Sequence, residues 1–334
     1  MRAAKSRHET DELHHNQQND ITMTTAFYTH ADCKRHEMGS WHPECPARLQ
    51  AIEDQLIASR IDSLLDYREA PLAAEAELAR VHSADAIYRI RENCPTDSSE
   101  TAYFPLDADT SLNAYTWRAA LRAAGAAVAA TDAVIAGELD TAFCSIRPPG
   151  HHATPTEAMG FCMFNNVAIA ARHAMEVHGL KKVAIVDFDV HHGNGTEAAF
   201  SGDPRVLMVS FFQHPFYPYS GTGHPAANMV NVPVPAHSYG NVVRQLVLDK
   251  WLPALHEHQP EMIFISAGFD AHREDDMGQM GLVEADYAWI TQKVMEIAKA
   301  YAKGRIVSCL EGGYNLSALG RSVVAHIKVL AELE

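Results

Sequence analysis

Short apolar runs alternate with longer stretches of helical periodicity along most of the chain. The short runs are apolar almost throughout, as expected for strands that are covered on both faces. The predicted strands are Thr141–Ile146, Val183–Phe188, Val206–Phe211, Met262–Ser266 and Arg305–Leu310. The predicted helices are Ser111–Ala136, Asn165–Val177, Tyr239–Glu257, Glu284–Lys303 and Leu316–Leu333. This alternation predicts an α/β fold in which helices cover both faces of a parallel sheet.

The chain reads as one domain with a polar N-terminal extension. From Phe27 onward it shows no linker, repeat or low-complexity block, which predicts a single continuous domain over residues 23–334. Residues 1–22 are polar and lack the apolar core of a secretory signal, so we expect a disordered extension. Met1 and Met23 both remain open as the start.

Composition narrows the class of protein. Hydrophobic residues make up 47% and charged residues 21% of the 334 positions, which suits a large buried core and excludes a disordered or coiled-coil chain. The 42 acidic residues against 27 Lys plus Arg give a net charge of −15, which argues against nucleic acid and favours a cationic ligand.

Cysteine usage and hydropathy bear on location. Six scattered cysteines without a Cys-x-x-Cys pair are expected to be reduced thiols, which predicts a cytoplasmic protein. Even the Ala-rich run Ala119–Ala136 is interrupted by Arg122, Thr131 and Asp132. We therefore expect no membrane-spanning helix, which needs about 20 apolar residues.

Polar segments follow the predicted strands directly. Ligands of parallel sheets bind outside the carboxyl ends of the strands, so these segments are expected to meet at one site. They are Arg147–His152, Asp187–His192, Gln213–His214, Ala267–Asp270 and Glu311–Tyr314.

The segment after the second of these strands predicts a metal centre. Strand periodicity places Asp187, Asp189 and His191 on one face, where burying the carboxylates requires a cation or a proton. Asp270 is the expected third ligand, with His272 as a less favoured competitor. Two Asp and one His leave a coordination position open, as in catalytic zinc sites, although Fe²⁺ also suits oxygen-rich ligation.

Other polar residues at the strand ends suit acid–base chemistry. His151 and His152 can share general acid and base work if Asp187 and Asn194 orient them. Tyr314, which follows two glycines, can donate a hydrogen bond to an oxyanion. Taken singly, a His-His pair or a Gly-Gly-Tyr turn is more often an ordinary loop, so the prediction rests on the set as a whole.

Several motifs carry a resemblance to a known family. They are His42-Pro-Glu-Cys-Pro-Ala-Arg48, Val81-His82-Ser83, Arg147-Pro-Pro-Gly-His-His-Ala153, Gly160-Phe-Cys-Met-Phe-Asn-Asn166, Asp187-Phe-Asp-Val-His-His-Gly-Asn-Gly195, Ser266-Ala-Gly-Phe-Asp270 and Glu311-Gly-Gly-Tyr-Asn315. In this order they resemble the zinc-dependent histone deacetylase family over about residues 27–333. The resemblance implies the arginase-deacetylase fold, a single α/β domain around an eight-stranded parallel sheet flanked by helices.

The resemblance also implies roles for individual residues. Asp189, His191 and Asp270 would hold zinc, and a structural potassium ion would lie at Asp187, Ser210 and Phe211, where backbone carbonyls including those of Asp189 and His191 contribute. Asn194 stands where class I members carry Asp, so the chain is similar to the class II branch.

Substrate-binding roles follow in the same way. Gly160, Phe161 and Tyr217 would line the channel, with Tyr217 where the family more often has Phe. Arg48 would lie beside the acetate exit cavity.

The implied activity is hydrolysis of N-ε-acyl-lysine in proteins or peptides. His152 would act as general base, His151 would tune the electrostatics, and Tyr314 with zinc would hold the oxyanion. The roles of the two histidines rest on the resemblance.

Other functions remain open. In an acetylpolyamine amidohydrolase a Glu would be expected at Met277, yet Glu274, Asp275 and Asp276 lie close by in sequence. A two-manganese arginase would need more bridging carboxylates, and a non-catalytic acyl-lysine binding module would be expected to have lost a ligand or Tyr314. We further expect the loop Asn93–Pro105 to shape the channel rim and the loop Gly39–Trp41 to contact a second subunit in a homo-oligomer.

Overall fold

A computed structural model describes residues 24–98 and 102–333. The predicted extension over residues 1–22 lies outside the described residues, as do residues 99–101 of the loop predicted to shape the channel rim.

The centre of the molecule is a sheet of eight strands, all parallel, which confirms the predicted fold class. The order across the sheet is β2-β1-β5-β10-β9-β6-β7-β8, and β3 and β4 form a separate antiparallel pair. The strands are β1 (Thr25–Thr29), β2 (Asp66–Glu69), β3 (Phe104–Pro105), β4 (Ser111–Leu112), β5 (Thr141–Cys144), β6 (Val183–Asp187), β7 (Val206–Gln213), β8 (Met229–Val234), β9 (Met262–Ala267) and β10 (Ile306–Leu310).

Two groups of helices cover the sheet. One consists of α4 and α5, and the other is built around α10, which packs on both α1 and α9. The helices are α1 (Ala47–Ala58), α2 (Glu75–Leu78), α3 (Ala84–Asn93), α4 (Thr116–Ala136), α5 (Asn166–Glu176), α6 (Asn194–Phe200), α7 (Gly240–Leu246), α8 (Leu252–His258), α9 (Glu284–Tyr301) and α10 (Leu316–Leu330).

The five predicted strands lie next to one another as β5, β10, β9, β6 and β7. Their residues are buried throughout, because helices lie on both faces, and this is why the apolar pattern is continuous. The pattern did not identify β1, β2 and β8. At the edges, β2 alternates between partly buried and exposed residues, and β8 contains Pro233.

Two predicted helices differ from the structure. The helix predicted from Ser111 begins at Thr116, because Ser111 and Leu112 pair with β3 as strand β4. The helix predicted over Tyr239–Glu257 is divided into α7 and α8 by a π-helical turn, Val247–Trp251.

The long apolar helix α4 is part of the core. Within the described residues it is the one helix whose length and composition would allow it to cross a membrane, with a mean hydropathy of 1.4 over the relevant window. Of that window, 72% is buried inside the structure.

Candidate active site at the strand ends

Four neighbouring central strands bring the predicted polar segments together. The segments after β5, β10, β9 and β6 contribute His151 and His152, Tyr314, Asp270, and Asp189 with His191. All of these except Tyr314 are buried, and the tyrosine is half-buried. These segments therefore meet at one edge of the sheet, as the geometric rule for parallel sheets predicts.

The three predicted zinc ligands converge on one point. Candidate ligand atoms of Asp189, His191 and Asp270 lie within 4.8 Å of one another. The Nδ1 atom of His191 is 3.0 Å from Asp189 Oδ1 and 3.2 Å from Asp270 Oδ2. His272 is not part of this group, because its Nε2 atom faces Glu284 Oε1 at 3.5 Å.

Backbone amides fix the two carboxylates. Asp189 Oδ2 accepts a hydrogen bond from the Gly312 amide at 2.9 Å, and Asp270 Oδ1 accepts one from the Val190 amide at 2.9 Å. Gly312 permits this close approach, since a Cβ atom there would lie 2.0 Å from Asp270 Oδ2.

The residues present fit a bound cation. Asp270 Oδ2 is buried and makes no hydrogen bond to any described residue. Burial and the negative charge of Asp189 raise the pKa of Asp270. A divalent ion would relieve both the unpaired oxygen and the charge repulsion.

The two adjacent histidines have different partners. His151 Nδ1 lies 3.0 Å from Asp187 Oδ2, whereas His152 Nδ1 lies 2.7 Å from Asn194 Oδ1. Burial would lower the pKa of His151, but the charges of Asp189 and Asp187 hold it well above its usual range. Burial and the neighbouring His151 and His191 hold the pKa of His152 well below its usual range.

Glu311 is a structural residue for which sequence reasoning assigned no role. Its Oε2 atom accepts hydrogen bonds from the backbone amides of Gly150 at 2.6 Å and His151 at 3.1 Å, and Ser266 donates to its Oε1 atom at 3.1 Å. Burial raises the pKa of this carboxyl to about 7. The one signal in the sequence is its position directly after β10, which does not indicate the contact with the loop that carries His151.

A pocket of about 230 Å³ opens above this group. Its lining residues include the predicted substrate-binding residues Gly160, Phe161, Tyr217 and Met277, the predicted catalytic residues His152 and Tyr314, and the metal-group residue His191. It is completed by Asp109, Phe216 and Asp276. Sequence reasoning missed Asp109 and Phe216. None of the described residues of Asn93–Pro105 lines this pocket.

Two contacts orient Tyr314. Its backbone amide donates to Asp275 Oδ2 at 2.6 Å, and its ring packs edge-on against Phe161 with 5.9 Å between centroids. Burial holds the pKa of the phenol well above its usual range, so the hydroxyl keeps its proton.

Arg48 lies outside the pocket lining. Its Nε atom donates to the Gly313 carbonyl at 2.7 Å, its Nη1 atom donates to Glu44 Oε1 at 3.1 Å, and its guanidinium lies 4.9 Å from the centroid of the Tyr314 ring. Arg48 thus supports the Gly-Gly-Tyr loop.

The residues assigned to potassium lie together on the neighbouring strands β6 and β7, at the end of β6 and within β7. Asp187 and Ser210 are register partners, and Phe211 follows Ser210. Asp187 therefore belongs to this group and also contacts His151, whose Nδ1 atom lies 3.0 Å from its Oδ2 atom.

Comparison with known proteins agrees with this architecture. Residues 42–330 match the family model described as the histone deacetylase domain. The chain therefore belongs to the histone deacetylase family, a family of deacetylase hydrolases.

Individual relatives cover most of the chain. Histone deacetylase 14, chloroplastic, from Arabidopsis thaliana is 36% identical over 86% of this chain and 73% of its own length. Polyamine deacetylase HDAC10 from Homo sapiens is 35% identical over 92% of this chain, which spans about half (48%) of that relative. The crystal structure of the HDA15 HD domain superposes with a TM-score of 0.86 at 34% identity, covering 93% of this chain and 90% of that one.

Proposed function

We propose that this protein is a zinc-dependent amidohydrolase that removes acyl groups, acetyl in particular, from N-ε-acyl-lysine. The observation that carries the proposal is the convergence of Asp189, His191 and Asp270 at the base of a pocket that His152 and Tyr314 also line. The aromatic side chains of Phe161, Phe216 and Tyr217 suit an aliphatic chain that leads to an amide at the base.

Asp189, His191 and Asp270 would hold the ion, with Fe²⁺ as an alternative occupant. Bound there, it would supply Lewis-acid polarisation of the acyl carbonyl and acidify the attacking water. Asp187, Ser210 and Phe211 would hold a potassium ion that stabilises the pairing of β6 with β7.

The protein side chains would perform the proton transfers. His152, kept neutral by its surroundings, accepts the proton of the attacking water and later returns it to the leaving amine. His151, which is kept protonated beside Asp187, supplies a positive charge next to His152. Tyr314 keeps its proton and donates a hydrogen bond to the acyl oxygen as negative charge develops.

A specific observation supports a second substrate class, acetylated polyamines. Two carboxylates, Asp109 and Asp276, line the pocket and would attract a cationic chain. One relative is named a polyamine deacetylase. Met277 favours acyl-lysine, because it places an apolar side chain in the same lining.

Turnover of acetyl-, trifluoroacetyl- and longer-chain acyl-lysine peptides should be compared with that of acetylspermidine, with and without a hydroxamate chelator. We expect faster hydrolysis of the acetyl-lysine peptide and inhibition by the hydroxamate. A large preference for acetylspermidine that Asp276→Asn reduces would instead support the polyamine assignment. Binding of acetyl-lysine without turnover by the zinc-loaded protein would indicate a binding module.

A further inference from the structure

A second group of metal-ligating side chains lies away from the pocket. Within residues 24–98 and 102–333, Asp132, His173 and His178 form the one other set whose ligand atoms lie within 4.8 Å of one another. The Nε2 atoms of both histidines are 2.6 Å from Asp132 Oδ1. None of the three residues lines the pocket.

The end of α5 brings the two histidines together. Positions five residues apart on a continuous helix diverge by about 140°. Here the Leu180 amide donates to the Ala174 carbonyl at 3.2 Å, and Gly179 takes a left-handed φ of +73°. The chain reverses its direction at this glycine, so the centroid of the His178 ring lies 5.3 Å from that of the His173 ring.

The third side chain comes from the neighbouring helix. Asp132 lies on α4, which packs along α5. The His173 side chain is 7% exposed, His178 is 26% exposed and Asp132 is 50% exposed. One imidazole is therefore held in the helix interface, while the group as a whole remains open to an ion from solvent.

The charged neighbours on α5 have other partners. Arg172 pairs with Asp203 at 3.0 Å, and Glu176 pairs with Arg80 at 3.5 Å. Asp132 therefore contributes the single formal charge of the group, beside two imidazoles that are neutral when they act as ligands.

We propose that Asp132, His173 and His178 bind a divalent transition-metal ion, Zn²⁺ in particular, at a site separate from the pocket. Two imidazoles and one carboxylate are a ligand set that zinc accepts, with water completing the coordination. Binding replaces the two hydrogen bonds to Asp132, and each Nε2 atom directs its lone pair to the ion while the ring proton resides on Nδ1.

Binding at this site has a structural consequence. The ion connects α4 to the end of α5, so it stabilises the folded state by mass action. Because the group lies outside the pocket, it leaves the hydrolytic rate unchanged.

A titration of the full-length protein tests the site. Protein already loaded with one equivalent of Zn²⁺ is titrated with further Zn²⁺ in competition with a chromophoric chelator. We expect one further equivalent in the wild type, and at least tenfold weaker binding of it in His178→Gln and in Asp132→Asn. Excess Zn²⁺ should raise the thermal midpoint of the wild type more than that of either variant, while turnover by the one-equivalent forms stays the same.

Controls separate this site from other histidines. The exposed His224→Gln variant and a combined His8→Gln, His14→Gln, His15→Gln variant should retain the second equivalent. The proposal is wrong if the wild type binds no second equivalent, if binding is unchanged in both His178→Gln and Asp132→Asn, or if the N-terminal variant loses it.

Discussion

His152 hydrogen-bonds through Nδ1 to the side-chain amide oxygen of Asn194 at 2.7 Å, which places a neutral partner behind this imidazole. The adjacent His151 has the carboxylate of Asp187 in the equivalent place, at 3.0 Å. With ring centroids 4.0 Å apart, two like-charged imidazoles would repel each other. The carboxylate behind His151 therefore favours its charged form, whereas the amide behind His152 favours a neutral ring.

Asn194→Asp should move the acidic limb of the profile of kcat/KM against pH to higher pH. A carboxylate behind His152 favours the imidazolium, which raises its pKa, and a general base is active only in its neutral form. The limb should be measured on protein with the same zinc content as the wild type. An unchanged limb at full zinc content would argue against His152 as the base.

Tyr314→Phe should lower kcat by about 10² to 10³, with little change in KM. The variant removes the hydroxyl donor but keeps the ring that packs against Phe161. Steady-state kinetics on an acetyl-lysine peptide measures both parameters. Tyr217→Phe removes a phenol from the same pocket, and we expect less than a tenfold effect. Equal losses in the two variants would contradict the assigned role of Tyr314.

Gly312→Ala should reduce the zinc content of the purified protein and its activity in proportion. The added methyl group would lie 2.0 Å from Asp270 Oδ2 and 2.6 Å from Asp189 Oδ2, so it forces the carboxylates apart. Metal analysis after removal of free zinc gives the content. Gly223→Ala is a matched control, because nothing lies within 4 Å of its added methyl group. Normal zinc content in Gly312→Ala would show that these carboxylates do not hold the ion.

The sequence predicted what depends on local pattern. The central strands are recognisable in the sequence because continuous burial makes them apolar throughout, and the polar residues that follow them include Asp189, His191 and Asp270. The edge strand β2 has no apolar pattern to reveal it, because three of its four residues, Asp66, Arg68 and Glu69, are charged.

Contacts between distant segments could not be predicted from local pattern. Asp132 appeared in the sequence as a charge that interrupts an Ala-rich run, and nothing local links it to His173 on another helix. The role of Glu311 could not be predicted for the same reason, because it depends on the amides of a loop 160 residues away in sequence.

The buried histidine His326 should make the protein less stable in acid. Its Nδ1 atom lies 2.7 Å from Thr291 Oγ1, whose own proton is donated to the Tyr287 carbonyl, so Nδ1 carries the ring proton. Nε2 then accepts from Ser308 Oγ at 2.9 Å, which satisfies the neutral ring completely.

Burial lowers the pKa of His326 to about 3, against about 6.5 in the unfolded chain. Between these values the unfolded state binds one proton more than the folded state, so stability is full above pH 6.5 and falls as the pH decreases below it. His326→Gln removes this contribution. Urea unfolding midpoints at pH 7.5 and pH 5 should therefore differ less for the variant than for the wild type, even though the variant is less stable at pH 7.5. A control variant, His256→Gln, changes an exposed histidine and should keep the wild-type difference between the two midpoints. If His326→Gln also kept the full wild-type difference, the His326 ring would have to be protonated in the folded state.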